Sequence, residues 1–213
     1  MAIARKKAAL PSGGLTPTAA ATAILDVAEE LAQTRGYNGF SYADIAVKLG
    51  VTKASLHYHF PSKAELGRVL IERYRIHFGA ALLAIDEQAR DALEKLKRYV
   101  ALYSAVLSNE RMCLCGMLAA EQATLPLPMR EALRLFFTDN ERWLTAVLDE
   151  GRQAGILRFK ASTIERARVL LAQFEGAMLV ARSYGEPLRF HSAASYVLAD
   201  LSTREQSRPG RRS

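Results

Sequence analysis

The 213-residue sequence predicts an all-α protein, and three observations lead there. Apolar side chains recur at three- and four-residue spacing through most of the chain, as in Leu93, Leu96, Val100, Tyr103 and Leu107, which lines them along one helix face. Helix starts are marked by Ser or Thr followed three residues later by an acid, and helix ends by Gly. No stretch shows the two-residue alternation of a half-buried strand, and no internal repeat stands out. The elements so marked amount to about nine helices, grouped into an N-terminal three-helix domain and a larger helical bundle.

Residues 1–15 read as a flexible arm that carries Arg5, Lys6 and Lys7 and no acid. A solubilising tail is the first reading of that arm, and a minor-groove or phosphate contact the second. The first helix is expected to take Thr16 as its cap and Pro17 as its first residue, a position that tolerates a missing N–H. Ile24, Val27, Ala28 and Leu31 then share one face, and Gly36 supplies the stop. Ser41 and Asp44 have the spacing of a capping box, with Phe40 and Ile45 as a hydrophobic staple. Gly50 suits the left-handed residue that ends the second helix. The third helix starts on Thr52, stapled by Val51 and Leu56, and stops at Pro61. Ser62 with Glu65 caps a fourth helix, which runs from Lys63 through at least Phe78 and toward Glu87.

The fifth helix is expected over Asp91 to Asn109 and a shorter sixth over Cys113 to Ala123. Leu125-Pro126-Leu127-Pro128 interrupts the pattern, because each proline removes a donor and disfavours helix before it. A long seventh helix follows from Met129 to Ala154, with Gly155 as its stop. An eighth runs from a Ser162–Glu165 capping box to Ser183, before Gly185 and Pro187. The last spans Ser192 to Leu201, and residues 202–213 form a basic tail expected to be disordered.

Residues 41–60 have the helix, Gly-containing turn, helix order of a DNA-binding helix-turn-helix. Between Ile45 and Ala64 there is no acidic residue, while Lys48, Lys53, His57, His59 and Lys63 are present. Base edges take hydrogen bonds and small apolar contacts, and phosphates take cations and N–H or O–H donors. Thr52, Lys53, Ala54, Ser55 and His57 are therefore the candidates for the groove. Ser41, Tyr42, Tyr58, His59 and Lys63 are the candidates for phosphates.

Ile24-Leu25-Asp26-Val27-Ala28-Glu29-Glu30-Leu31, Arg35-Gly36-Tyr37, Asp44-Ile45-Ala46, Leu49-Gly50-Val51 and Leu56-His57-Tyr58-His59-Phe60-Pro61-Ser62-Lys63 stand in order at fixed spacing. This stretch, about Thr18 to Phe78, closely resembles the DNA-binding domain of the TetR family of transcriptional regulators. It departs at position 57, where His replaces a frequent aromatic. The resemblance implies a DNA-binding domain over 16–78, an effector-binding and dimerisation domain over 79–201, and a double-stranded DNA operator as partner. It also implies a homodimer built on the last two helices, where Ala167, Leu170, Leu171, Phe174, Gly176, Ala177, Met178 and Ala181 lie. A repressor released by an unidentified small-molecule effector is the function it suggests. Arg111 to Glu121 is similar to the C-terminal domains of one branch of the family. Tyr103, Met112, Cys115, Met117, Phe136, Phe137, Trp143, Phe174 and Met178 are candidates to line an apolar effector pocket, with core packing the simpler reading for each.

The net charge of +7 says less than it suggests. Residues 79–201 carry fifteen basic and fifteen acidic side chains and residues 16–78 seven and six, so the excess sits in the two tails. No apolar run approaches the ~20 residues of a membrane span, and no secretory signal is seen, so cytoplasmic residence is expected. Cys113 and Cys115 are the only cysteines. Two inert buried thiols are the first reading, and a thiol sensor of oxidants or electrophiles, aided by Arg111, the second. No hydrolytic triad, phosphate loop, paired-carboxylate site or metal-ligand cluster emerges, so neither an enzyme nor a cofactor is expected; an all-α enzyme and a helical interaction protein that does not bind DNA are the remaining alternatives.

Overall fold

A computed structural model describes residues 18–202. The expected arm over 1–15, the Thr16–Pro17 helix start and all but the first residue of the expected 202–213 tail lie outside the described residues. Nine helices fill the described chain: α1 (Ala19–Arg35), α2 (Tyr42–Leu49), α3 (Lys53–His59), α4 (Lys63–Gln88), α5 (Ala92–Ser108), α6 (Leu114–Ala120), α7 (Leu127–Gln153), α8 (Thr163–Tyr184) and α9 (Pro187–Leu201). An isolated antiparallel bridge between Leu157 and Ser202 ties the α7–α8 loop to the end of α9.

The helix starts follow from their caps. The Ser41 N–H and hydroxyl both donate to Asp44 Oδ2, at 2.8 and 2.6 Å. Ser162 and Glu165 form the same reciprocal box. Ser62 accepts the Glu65 N–H at 3.1 Å, but the Glu65 carboxylate turns instead to Arg68, so that box is half made. Thr18, with its hydroxyl 3.2 Å from the Ala21 N–H, is the cap of α1. Proline moves two boundaries. Pro126 is the N-cap of α7 and Pro128 lies in its first turn, and Pro187 is the first residue of α9 rather than a break before Ser192. At these positions the N–H that proline lacks has no helical partner to lose.

Ile24, Leu25, Ala28 and Leu31 of α1 close over Ile45, Leu56 and Phe60, with Leu66 and Leu70 of α4 as the floor. Removing such surfaces from water is the main force that holds three short helices together. Helix α4 does not stop there. Its second half carries Leu82 and Ile85 into the core of the bundle formed by α5, α7, α8 and α9. Phe78, at the crossover, has its ring centre 5.3 Å from Phe136 and about 6 Å from Tyr74, Tyr99 and Tyr103. Arg73, bonded to Asp26 and Glu29, locks α4 to α1, and Arg75, bonded to Asp139, locks it to α7. One rigid helix therefore spans both units. Among the described residues no helix is long and apolar enough to cross a membrane, and no His, Cys, Asp or Glu cluster could hold a metal ion.

Candidate nucleic-acid interface

Helix α3 is amphipathic over seven residues. Leu56 is fully buried and Phe60 nearly so, which fixes the inner side. Thr52, Lys53, Ala54, His57 and Tyr58 are exposed on the other side, and Ser55 and His59 are half-buried. Tyr58 is 84% exposed, far more than a core tyrosine tolerates, and so it is free to meet a partner. Thr52 caps the helix by accepting the Ser55 N–H at 3.3 Å. Gly50 at φ +66°, ψ +32° makes the left-handed turn that swings α3 across α2, a conformation costly for residues with a Cβ.

His57 is held in place. Its ring packs on Tyr42 with centres 4.7 Å apart, and Nδ1 lies 3.2 Å from the Pro61 carbonyl oxygen. Nε2 is therefore the nitrogen turned to solvent.

Three of the expected contact residues have other work. The Tyr42 hydroxyl donates to the Phe60 carbonyl at 2.7 Å inside the domain, and burial pushes its pKa up to about 12. It is a strut between α2 and the end of α3, not a free phosphate donor. The Lys63 ammonium donates to the carbonyls of Tyr37 (2.5 Å) and Phe40 and sits 4.4 Å from the centres of both rings. Burial lowers its pKa. Lys63 thus closes the α1–α2 loop, with two of its three donors taken. The Ser41 hydroxyl is spent on Asp44. Lys48, counted with the basic surface, is paired with Glu30 of α1.

The candidate effector residues divide as well. Tyr103, Cys115, Phe136, Phe174 and Met178 are packed in the core. Trp143 stacks on Tyr99 at 5.4 Å and donates its indole N–H to Asp86 at 2.9 Å. Met112, Met117 and Phe137 do line an open cleft of about 510 Å3 between α6, α7 and α8. Cys113 and Cys115 are both buried and reduced, and burial pushes both thiols up in pKa, away from the reactive thiolate.

Sequence patterns did not reveal how the two units join. Glu121, just after α6, accepts the backbone N–H groups of Tyr37 (2.5 Å) and Asn38 (3.2 Å). Arg182 of α8 donates to the carbonyls of Gln33 (3.0 Å) and Thr34 (2.5 Å), which end α1. The Met112 N–H also reaches Gln33, at 3.2 Å. The orphan carbonyls of the first helix are thus satisfied from the bundle.

Two family models match the chain: residues 24–68 match the bacterial regulatory proteins, tetR family, and residues 92–197 the tetracyclin repressor-like C-terminal domain. A TetR-family transcriptional regulator from Agrobacterium tumefaciens is 33% identical, with a TM-score of 0.85 over 88% of this chain and all of that one. The chain belongs to the TetR family. A TetR regulator from Legionella pneumophila is similar too, at 30% identity and a TM-score of 0.79 over 89% of this chain and 100% of its own. The HTH-type transcriptional repressor NemR of Escherichia coli K12 is 28% identical over 190 residues, 84% of this chain and 92% of that protein. As a TetR-family member, the chain is a ligand-responsive DNA-binding transcriptional regulator, and α3 lies inside the stretch that the N-terminal family model matches.

Proposed function

We propose that this protein is a homodimeric repressor whose α3 helices, one from each protomer, read successive major grooves of a palindromic operator. The observation that carries this reading is the outer face of α3. Thr52, Lys53, Ala54, His57 and Tyr58 are all exposed there, with no carboxylate anywhere from Ile45 to Ala64. A helix turned toward phosphates needs both features. Lys53 and His57 are assigned to base edges and Thr52, Ala54 and Ser55 to the groove floor and walls. Tyr58 and His59 remain the phosphate candidates, and Ser41, Tyr42 and Lys63 act by shaping the frame. The 16–78 and 79–201 division serves as the working partition, with α4 shared between them.

The dimer surface is assigned to the outer faces of α8 and α9. Val180, Tyr184, Leu188 and Tyr196 are exposed there, the last two at 79% each, an apolar patch unusual for a monomer. Of the small and apolar residues expected at this interface, Ala167, Leu170, Leu171, Phe174, Met178 and Ala181 are buried within the protomer, Ala177 is half-buried against its core, and Gly176 is exposed beside the cleft. The curated relative NemR is named a repressor, which supports repression. A DNA-bound regulator works in the cytoplasm.

Effector signals are assigned to α6, which lines the cleft through Met117 and is flanked by Met112 and Glu121, both bonded to the end of α1 or the loop after it, beside Arg182 of α8. An effector that binds one arrangement of these contacts better than the other shifts the spacing of the readers. Selection of bound sites from random DNA tests the reading. Enrichment of inverted half-sites one helical turn (~34 Å) or a multiple apart is expected. A single half-site without symmetry, or no enrichment, would overturn it.

A further inference from the structure

We infer that the cleft between α6, α7 and α8 takes a small apolar organic amine, anchored by its ammonium on the Glu175 carboxylate. This identifies the chemical class of the effector and so rests on the ligand-responsive reading above. The walls are Met112, Gly116, Met117, Phe137, Leu171 and Leu179, which suit an apolar body. Glu175 is the only charged residue between Val169 and Ala181 on α8. Its Oε2 is buried and has no hydrogen-bond partner. Buried polar atoms in native proteins are rarely left so, and a carboxylate oxygen in that state calls for a donor.

The neighbours sharpen the choice. A Cβ at Gly116 would press directly into the Glu175 carboxyl, so this glycine leaves the room in which the carboxyl lies at the cleft floor. The cleft's other charges, Glu141 and Arg168, face each other at 3.4 Å. Arg182 is spent on the α1 carbonyls. Among the described residues no free cation lines the cleft to receive an anionic ligand, whereas the Glu175 oxygen without a hydrogen-bond partner can take a cationic one.

The hydrogen bonds behind Glu175 show what such a ligand changes. Asn140 donates its Nδ2 to the Phe136 carbonyl, so its Oδ1 accepts from Tyr99 at 3.0 Å. The single Tyr99 proton is thereby used. Tyr103 lies 3.0 Å from Tyr99 and 3.4 Å from Glu175 Oε1, and its one proton can serve only one of them. With Glu175 protonated, the acid donates to Tyr103 and Tyr103 donates to Tyr99. When a free-base amine takes the Glu175 proton, an ammonium–carboxylate pair forms and the Tyr103 hydroxyl turns to Oε1. On the other side the Cys113 thiol neighbours the same carboxyl, and the Tyr74 hydroxyl of α4 lies 3.9 Å from its sulfur. Burial raises the Glu175 pKa to about 7, so the two protonation states lie close in free energy. Tyr103, Cys113 and the Glu141–Arg168 pair are the titratable groups around it, with Tyr74 and Tyr99 one bond further.

Calorimetry on the full-length protein decides the matter, with 2-phenylethylamine and 4-phenylbutylamine set against their neutral isosteres 2-phenylethanol and 4-phenylbutanol. At about pH 8 the amine is expected to bind at least about tenfold more tightly than its alcohol, and Glu175→Gln to erase that preference. Equal affinities, undiminished amine binding by Glu175→Gln, or no binding of either amine would overturn the proposal. Should Glu175→Gln not fold, the wild-type amine–alcohol comparison decides alone. The outcome is separate from that of site selection. A protein that selects palindromes but shows no amine preference refutes only this inference, and the reverse result refutes only the operator reading.

Discussion

Lys53 and Lys63 stand ten positions apart in one acid-free stretch, and their surroundings give them different work. Lys53 is exposed in the first turn of α3, so Lys53→Ala is expected to cost about 1–3 kcal/mol of operator binding and to relax preference at one base position. Competition between operator variants measures this, and unaltered selectivity would show that another residue reads the base. Lys63 is held by two carbonyls and two rings. Lys63→Ala is expected to destabilise the N-terminal domain by about 1–3 kcal/mol, seen as a lower denaturant midpoint without DNA. Glu175 gives a pH signature of opposite sign to that of a salt-bridged acid. Its folded pKa of about 7 lies above the ordinary carboxylate value, so the native state holds the proton longer. Stability is then intact below about pH 4.5 and falls as pH rises toward 7, by up to roughly 3 kcal/mol. Glu175→Gln carries no such penalty. It is expected to match the wild type at acidic pH and to exceed it at about pH 8, in thermal melts without ligand. A constant difference across that range would mean that the carboxyl titrates normally.

Helix α1 owes its end to the far half of the chain. Gly36 at φ +79° closes it, but the carbonyls of Gln33 and Thr34 are met by Arg182, 149 and 148 residues away. Arg182→Met keeps much of the apolar stem and removes the donors. Faster hydrogen exchange in the last turn of α1 and in the α1–α2 loop is expected, with α3 packing unchanged. Exchange confined to wild-type rates would show that Gly36 alone holds the end. This contrast marks what local sequence can carry. The Ser41–Asp44 box, the Gly50 turn, the Thr52 cap and the α3 face are set by residues within a few positions of one another, and they were legible. Pro126 and Pro187 were visible as punctuation, but whether a proline ends one helix or opens the next depends on where the neighbouring backbone is satisfied. The Tyr42 strut, the Lys63 clamp and the Glu121 and Arg182 bridges depend on which surfaces meet in space, and no periodicity encodes that. Glu175 did leave a trace, as a lone charge in an apolar run, but the same pattern fits a solvated helix face. The pocket candidates divide between core and cleft for a related reason: aromatic and Met residues at helical spacing fill cores as readily as they line clefts.

At the scale of the whole molecule, a single α3 of seven residues is too short to pick one site from a genome, so the proposed reading draws specificity from two copies held at fixed spacing. In each protomer α4 carries a reader and also enters the bundle core, while α8 and α9 present Val180, Tyr184, Leu188 and Tyr196 outward. In the proposed dimer, pairing of that face sets the distance between readers, and anything that shifts α6 against α1 changes it. Placing carboxylates there by Leu188→Glu and Tyr196→Glu tests this chain of reasoning, because neither side chain supports the protomer core. Sedimentation is expected to show monomers at micromolar concentration with helicity retained. Each monomer would still carry an intact reader, so DNA binding should persist at one half-site. Affinity for the full operator should fall by about a hundredfold or more. The dependence of log affinity on log salt should drop to roughly half, since a slope near −0.9 per phosphate counts the contacts that each bound unit makes. A variant that is monomeric yet keeps the full slope would place DNA contacts outside the paired readers. One that remains dimeric would move the interface to another face of the bundle.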